Sequence, residues 1–170
     1  PKLAVVHLAV SRACLTRPLD GFGFLVPPVE GRRILGCIWV SSIFADRCPS
    51  DEALLAVFIG GATRPECFDL SDDELVELAL EELAATCLKP RAKPRFVRLL
   101  RHARAIPQYN VAHLALRRAI EAAMDADPSL SIVGNHVAGI SAGDTVAWAR
   151  RAVGRSFGQH SAGIEARAHG

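Results

Sequence analysis

Four short apolar segments, rich in β-branched residues, occupy the first third of the chain and constrain its fold more than any other feature. They are Leu3–Val10, Gly21–Pro28, Arg32–Ser42 and Ala53–Gly61. The connections between them are short and carry Pro, Asp, Gly and Ser instead of helical sequence. This pattern predicts an antiparallel meander and argues against repeated βαβ units. The GFGF sequence in the second segment lacks the third glycine and the following helix of a dinucleotide fingerprint.

The sequence LSDDELVELALEELAATCL changes the period from that of a strand to that of a helix. Ser71 followed by Glu74 is a capping-box pattern, and the apolar spacing predicts a helix over 71–87. Its expected apolar face consists of Val76, Ala79, Leu80, Leu83 and Cys87. Phe96–Ile106 is predicted as a further strand.

The rest of the chain predicts a helix, a strand and a second helix. VAHLALRRAIEAAMDADP, residues 111–128, is predicted to be helical. The expected buried stripe of this helix is Leu116, Ala119, Ile120, Ala123 and Met124. LSIVG, residues 130–134, predicts a strand, and Ser141 with Asp144 predicts a capped final helix that ends at a glycine cap, Gly154. Together the elements predict an α+β fold with an antiparallel or mixed sheet, packed helices and a terminal strand–turn–helix.

Composition narrows the classes of partner and site. Half of the 170 residues are apolar and the mean hydropathy is +0.20, which predicts a ligand cleft, a subunit interface or a membrane-facing patch. The net charge is only +2, and the arginines are not interleaved with aromatic residues, so no nucleic acid partner is expected. The five cysteines are odd in number and form no C-x-x-C pair, which favours free thiols over disulfides or zinc ligands.

The stretch IVGNHVAGISAGDTVAWARRAVG, residues 132–154, places several glycines between the predicted strand and the final helix. The first N–H groups of a helix have no partner inside it, and glycines allow a ligand to approach the backbone closely. The turn is therefore either a binding site for an anionic or dipolar ligand or an ordinary turn. The spacing of the glycines by itself does not decide between the two.

Four segments, taken in order, resemble the C-terminal portion of the protoporphyrinogen oxidase family, within the amine-oxidase-like flavoproteins. They are GFGFLVPPVEGRRILGCIWVSSIFADRCP (21–49), LLAVFIGGATRPE (54–66), RAIPQYNVAHL (104–114) and GNHVAGISAGDTVAWARRA (134–152). The resemblance extends from about residue 4 to 153. GFGFLVP, IPQY and GNHVAGIS are specific in combination.

The resemblance implies FAD as the cofactor and a division of the chain into three parts. Residues 1–105, with the β-meander and the helix 71–87, would be part of a substrate-binding domain, 106–154 the closing piece of an FAD-binding domain, and 155–170 a disordered tail. The implied flavin contacts are Gly134, Asn135, Val137, Ala138, Gly139, Ile140, Ser141, Ala142 and Leu114. For Leu114, a core leucine at a helix start is the alternative. The family's N-terminal G-x-G-x-x-G turn is absent from this sequence, so we expect an N-terminal half to be missing and FAD to bind poorly to the chain alone.

The implied activity is oxidation of protoporphyrinogen IX or coproporphyrinogen III to the porphyrin in haem biosynthesis, with oxygen as acceptor. Candidate partners for the porphyrin carboxylates are Arg98, Arg101 and Arg104, and the alternative is that these arginines form a solvated surface. Tyr109 and Gln108 are expected to hydrogen-bond the neighbouring backbone. The resemblance supplies no catalytic acid–base pair.

Two other interpretations stay open. One is a different flavoenzyme of the same superfamily, against which GFGFLVP and IPQY argue. The other is a truncated, non-catalytic remnant, which the absent nucleotide fingerprint favours. We expect a cytoplasmic protein, with peripheral contact to the cytoplasmic membrane and homodimerisation as further options. Sedimentation of the full-length protein with membranes would test the membrane contact.

Overall fold

The computed structural model describes residues 1–154, so the predicted tail at 155–170 lies outside the described residues. The chain forms two compact units, which divide between Ala105 and Ile106. None of the helices among the described residues combines the length and the apolar character that crossing a membrane requires.

The first unit is built on a five-stranded sheet. Its strands are β1 (Leu3–Ser11), β2 (Gly23–Leu25), β3 (Ile34–Trp39), β4 (Glu52–Gly60) and β5 (Phe96–His102). The order in the sheet is β2-β3-β4-β1-β5 and every pair is antiparallel. The predicted α+β class with an antiparallel sheet is therefore confirmed.

The predicted meander is wrong for the first strand, which lies between β4 and β5 instead of beside β2. β1 and β4 are the longest strands, and they pair over nine positions, from Leu3 opposite Gly60 to Ser11 opposite Glu52. Pairing the two most apolar strands at the centre of the sheet buries more apolar surface than an edge position would.

The third predicted strand also ends early, because Val40–Ile43 forms a short helix, α1. Two serines stabilise this change of direction. Ser42 Oγ donates to the carbonyl of Leu19 at 2.8 Å, and Ser41 Oγ accepts the N–H of Leu54 at 3.1 Å. Serine hydroxyls that bond the backbone in this way compete with a strand ladder.

Helix α2 (Asp72–Ala84) packs against one face of the sheet. The predicted capping box is present: Ser71 Oγ accepts the N–H of Glu74, and the Glu74 carboxylate accepts the N–H of Ser71 at 2.7 Å. The buried face is centred differently from the prediction, since it consists of Leu75, Leu78, Ala79, Glu82 and Leu83. Val76 and Leu80 lie only half-buried at its margin, and Cys87 is buried in the turn that follows the helix.

The main core lies between α2 and the sheet. Alternate residues of the two central strands face the helix and are fully buried. They are Ala4, Val6, Leu8 and Val10 of β1 and Ala53, Leu55, Val57 and Ile59 of β4. Because side chains alternate along a strand, the remaining residues of β1 and β4 point to the opposite face of the sheet.

The second unit contains helix α3 (His113–Ala126) and a helix over residues 142–154, called α4 below. Of the stripe predicted to be buried on α3, only Met124 is buried; Ile120 is half-buried, and Leu116, Ala119 and Ala123 are exposed. The helix lies where its amphipathic period predicts, but most of its predicted buried stripe is exposed.

The strand predicted at 130–134 does not form, because none of the described residues pairs with this segment in a ladder. One of its contacts is a hydrogen bond of 3.0 Å from the indole N–H of Trp148 to the carbonyl of Ile132. Gly154 was predicted as a C-terminal cap, but it is still helical and its φ is not in the left-handed region.

Candidate functional site

The turn that precedes α4 is the first candidate site, and two of its glycines have conformations that favour glycine. Gly134 has φ +154° and Gly139 has φ +122°. A Cβ on Gly139 would lie 2.8 Å from the Cβ and from the Oδ2 of Asp144, and a Cβ on Gly134 would lie 2.7 Å from the His136 ring. Both glycines are therefore required by the packing of the turn itself, whatever ligand it binds.

Tyr109 holds the two ends of this turn together. Its hydroxyl donates to the carbonyl of Asn135 and accepts the N–H of Gly139 at 2.9 Å. The ring stacks on His113, with centroids 3.8 Å apart and an interplanar angle of 9°. Gln108 Nε2 donates to the carbonyl of Ile106 at 3.2 Å. The prediction that Tyr109 and Gln108 bond neighbouring backbone is confirmed.

Replacing Tyr109 by Phe should loosen the turn without unfolding the unit, because the ring stack stays and only the hydroxyl bridge is lost. We expect the Gly139 amide to exchange its hydrogen about fivefold faster, since one hydrogen bond contributes about 1 kcal/mol. Hydrogen exchange read by NMR or mass spectrometry measures this. Gln108→Ala is the matched control, because its bond to Ile106 lies outside the turn. An unchanged Gly139 amide in Tyr109→Phe would show that the bridge does not hold the turn.

At the N-terminus of α4, one backbone N–H is capped by a side chain and two others have no acceptor among the described residues. Ser141 Oγ accepts the N–H of Asp144 at 3.0 Å and donates to its Oδ2 at 2.7 Å. Only one arm of the predicted capping box is thus present, because the Asp144 carboxylate bonds the hydroxyl and not the backbone N–H of Ser141. No acceptor among the described residues takes the N–H groups of Ala142 and Gly143, and both residues are exposed.

The other residues expected to contact the flavin differ in their exposure. Val137 is buried, so its side chain packs inside the unit, whereas Ile140, Ser141 and Ala142 are exposed. Leu114 is 57% exposed on the first turn of α3, so the alternative that it is a core leucine is wrong. The turn therefore offers exposed backbone and two free N–H groups, which is the donor set that a dipolar ring edge needs. The residues fit the isoalloxazine edge of a flavin.

The face of the sheet that points away from α2 is a second candidate site, which the sequence analysis missed. Residues directly opposite each other in an antiparallel sheet share a face. The large apolar residues on this apolar sheet face are Leu25, Ile38, Leu54, Phe58, Phe96 and Leu100. None of them belongs to the core under α2, and Leu25 and Phe96 are 87% and 49% exposed. The sequence ALLAVFIGG could have indicated this face, because it has no polar residue and so places apolar side chains on both sides of its strand.

Two glycines keep β2 close to β3 at the apolar sheet face. A Cβ on Gly23 would lie 2.1 Å from the carbonyl oxygen of Cys37, and a Cβ on Gly36 would lie 2.3 Å from that of Phe24. Neither position can carry a side chain, so the positions opposite Ile38 and Leu25 are empty of side-chain atoms. This leaves both apolar side chains accessible to a flat ligand. The glycines of the GFGF segment therefore allow the backbones of β2 and β3 to pack closely, and the segment is not a dinucleotide-binding turn.

One polar pair interrupts the apolar sheet face. His7 on β1 lies directly opposite Arg98 on β5. Burial lowers the pKa of His7, and the positive charge of Arg98 lowers it further, while a backbone hydrogen bond at Arg98 opposes both effects. His7 is therefore neutral at pH 7, and its Nδ1 has no hydrogen-bond partner among the described residues.

Arg101, one of the three candidate arginines, holds the fold together instead. Its Nε and Nη2 donate to Asp72 Oδ1 at 3.1 and 2.7 Å. The guanidinium also donates to the carbonyls of Phe68 and Leu70 and lies over the Phe68 ring. With four of its five N–H donors and its charge used in these contacts, Arg101 ties β5 to the start of α2 and is a poor candidate for binding a ligand. Arg104 lies in the exposed turn that follows β5.

The described residues contain no cluster of three His, Cys, Asp or Glu side chains that could hold a metal ion. The five cysteines are free thiols. Burial raises the pKa of Cys37 to about 12, so this thiol stays protonated and acts as an apolar core residue.

Comparison with known proteins gives consistent relatives for the whole described chain. A family model for flavin containing amine oxidoreductases matches residues 1–155. The chloroplastic protoporphyrinogen oxidase of Nicotiana tabacum is 37% identical over 131 residues, which is 75% of this chain and 24% of that protein. The coproporphyrinogen III oxidase of Bacillus subtilis (strain 168) is 25% identical over 152 residues, 89% of this chain and 32% of that protein.

A solved structure has the same fold. The crystal structure of a protein from Exiguobacterium sp. 255-15, described as a candidate protoporphyrinogen oxidase, matches with a TM-score of 0.67 and 22% sequence identity. The match covers 96% of this chain and 35% of that one.

The chain spans between 24% and 32% of the length of the two curated relatives named above. The matching family model is described as flavin containing, which supports FAD as the cofactor. The chain belongs to the flavin containing amine oxidoreductase family.

Proposed function

We propose that this chain is the C-terminal part of an FAD-dependent enzyme that oxidises a porphyrinogen to the porphyrin in haem biosynthesis, with oxygen as acceptor. The observation that carries the proposal is the apolar sheet face of the first unit, on which Leu25, Phe96 and Leu100 are exposed and Ile38, Leu54 and Phe58 are half-buried. A porphyrinogen is a large, mostly apolar ring, and such a ligand gains free energy by covering a surface of this kind. The relatives named above include oxidases of two porphyrinogens.

In this proposal the two units have different tasks. The first unit, Pro1–Ala105, supplies part of the substrate-binding domain, because it carries the apolar sheet face. The second unit, from Ile106, supplies the closing piece of the FAD-binding domain, because it carries the glycine turn and the N-terminus of α4. The nucleotide fingerprint that would hold the rest of FAD is assigned to an N-terminal part of the enzyme.

The flavin contacts that we propose are those of the glycine turn and of the start of α3. They are Gly134, Asn135, Val137, Ala138, Gly139, Ile140, Ser141, Ala142 and Leu114. FAD, when bound, supplies the acceptor for a hydride from the substrate. The N–H groups of Ala142 and Gly143 and the positive end of α4 favour negative charge beside them, by about 0.3–1 kcal/mol at an exposed helix end. Val137 acts from inside the unit, where it fixes the position of the turn.

The described residues contribute to catalysis by positioning the substrate. No pair of side chains with shifted pKa values lies on the apolar sheet face to act as acid and base. His7 is neutral there and can accept or donate one hydrogen bond, but it has no carboxylate beside it. Orientation of the ring and exclusion of water by Leu25, Ile38 and Phe58 are therefore the effects that we assign to this unit.

The substrate is either protoporphyrinogen IX, with two carboxylates, or coproporphyrinogen III, with four. The higher identity to the tobacco protein favours the first, and the Bacillus subtilis relative keeps the second as the alternative. A non-catalytic remnant is the remaining candidate. Cytoplasmic location, peripheral membrane contact and homodimerisation stay predictions.

The proposed function is tested by expressing the complete reading frame, which contains residues 1–170 together with any coding sequence upstream of Pro1. We expect a yellow protein with one FAD per chain, which turns either porphyrinogen into fluorescent porphyrin and consumes oxygen. The ratio of kcat/KM for the two porphyrinogens assigns the substrate. A reading frame without a G-x-G-x-x-G sequence, or a colourless protein that does not bind added FAD, would establish the remnant instead.

A further inference from the structure

We propose that Arg98 binds a carboxylate of the tetrapyrrole and so fixes the orientation of the ring on the apolar sheet face. The inference rests on the proposed function and adds to it a residue that positions the substrate. It is carried by the place of Arg98 in the sheet and by the state of the other charged groups around it.

Arg98 lies in the middle of β5, on the same side as the exposed apolar residues. The register pairs Arg98 with His7, and the neighbouring pairs on this side are Leu100 with Val5 and Phe96 with Ala9. Leu100 and Phe96 are 36% and 49% exposed, so the guanidinium emerges between two apolar side chains. Arg98 is itself exposed, so a ligand on this face of the sheet can reach its guanidinium from solution.

The charge of Arg98 has no partner among the described residues, in contrast to the arginines near it. Arg95 pairs with Asp51 at 2.8 Å and with Glu52 at 3.0 Å, and Arg101 pairs with Asp72. No carboxylate among residues 1–154 lies within ion-pair distance of Arg98. His7, which faces it, is neutral because burial lowers its pKa. Arg98 is thus the uncompensated positive charge of the apolar sheet face.

This combination of an apolar surface and one free guanidinium matches the chemistry of the substrate. A porphyrinogen carries its carboxylates on short arms at the rim of an apolar ring. A guanidinium binds a carboxylate through two parallel N–H donors, which fixes direction as well as distance. Because β5 is the edge strand of the sheet, an arm that reaches Arg98 leaves the ring over the central strands.

The test uses the full-length flavoprotein and compares Arg98→Gln, Arg98→Lys and wild type. The probes are the product porphyrin as the free acid and the same porphyrin with all carboxylates esterified, with Kd measured by fluorescence quenching. We expect Arg98→Gln to weaken binding of the free acid about tenfold and to leave the ester unaffected, because a charge-assisted hydrogen bond contributes about that factor. Arg98→Lys should retain part of the preference for the free acid over the ester. In Arg98→Gln, KM for the porphyrinogen should rise by a larger factor than kcat falls.

Arg118→Gln is the matched control, since Arg118 is an exposed arginine on α3, in the second unit. Equal affinity of Arg98→Gln and wild type for the free acid overturns the inference. An equal loss for acid and ester does so too, since it would indicate a structural role. Either result would leave turnover by the wild-type enzyme intact, whereas a wild-type protein that neither binds nor oxidises the porphyrinogen overturns the proposed function and this inference together.

Discussion

Gly139→Ala in the full-length protein is expected to reduce flavin affinity by about tenfold or more. The φ of Gly139 is +122°, a conformation that costs an L-residue about 1–3 kcal/mol. The new Cβ would also lie 2.8 Å from the Cβ and from Oδ2 of Asp144, so the first turn of α4 has to shift. A shift there moves the N–H groups of Ala142 and Gly143, which we propose to lie against the flavin.

The measurement is the FAD dissociation constant, from quenching of flavin fluorescence, together with the FAD content after purification. Gly154→Ala is the control, because Gly154 is in α4, has an ordinary φ and has no atom within 4 Å of the place of a new Cβ. We expect wild-type affinity for that variant. If Gly139→Ala retains wild-type affinity while circular dichroism shows an unaltered fold, the glycine turn is not the flavin contact.

Glu82→Ala should lower the free energy of unfolding by about 3 kcal/mol, because it removes one partner of a largely buried ion pair. The Glu82 side chain is only 10% exposed; its Oε2 accepts from Arg32 Nε at 2.7 Å and its Oε1 from the N–H of Arg33 at 3.2 Å. Without the carboxylate, Arg32 Nε and the backbone N–H of Arg33 lose their acceptor together.

Glu81→Ala is a closely matched control, since it is the preceding residue and also pairs with an arginine. Its partner is Arg33 at 2.8 Å, but the two side chains are 59% and 50% exposed. We expect a loss of about 0.5 kcal/mol or less, because water screens an exposed pair. Urea unfolding of both variants and wild type gives the comparison. Equal midpoints for Glu82→Ala and Glu81→Ala would show that burial of the pair does not contribute to stability.

The local patterns of the sequence were reliable where a helix or a strand is stabilised by its own residues. The capping box at Ser71 and Glu74 is present, and the amphipathic period placed α2 and α3 within a few residues of their observed ends. The pattern of the α2 helix did not identify Glu82 as buried, because its burial depends on Arg32, fifty positions away in the sequence. A one-dimensional period contains no information about such a distant partner.

The strand predicted at 130–134 also failed because a local pattern does not show which distant residues are present as partners. LSIVG has the composition of a strand, but a strand exists only if another segment completes its ladder, and no described residue does. The Tyr109 bridge between Asn135 and Gly139 was predictable only as backbone bonding of a general kind, since its two partners lie 26 and 30 residues further along the chain.

The sequence by itself determined the α+β class, the N-terminal cap of α2, the glycine turn and the membership in a flavin-containing family, since each depends on residue types at short spacing. Only the tertiary structure decided that β1 lies between β4 and β5, that Leu25, Phe58 and Phe96 share the face of the sheet away from α2, and that Arg98 is unpaired while Arg101 is not. The physical reason is that pairing partners across a sheet, and the charges that satisfy one another, are chosen by contacts between residues distant in sequence.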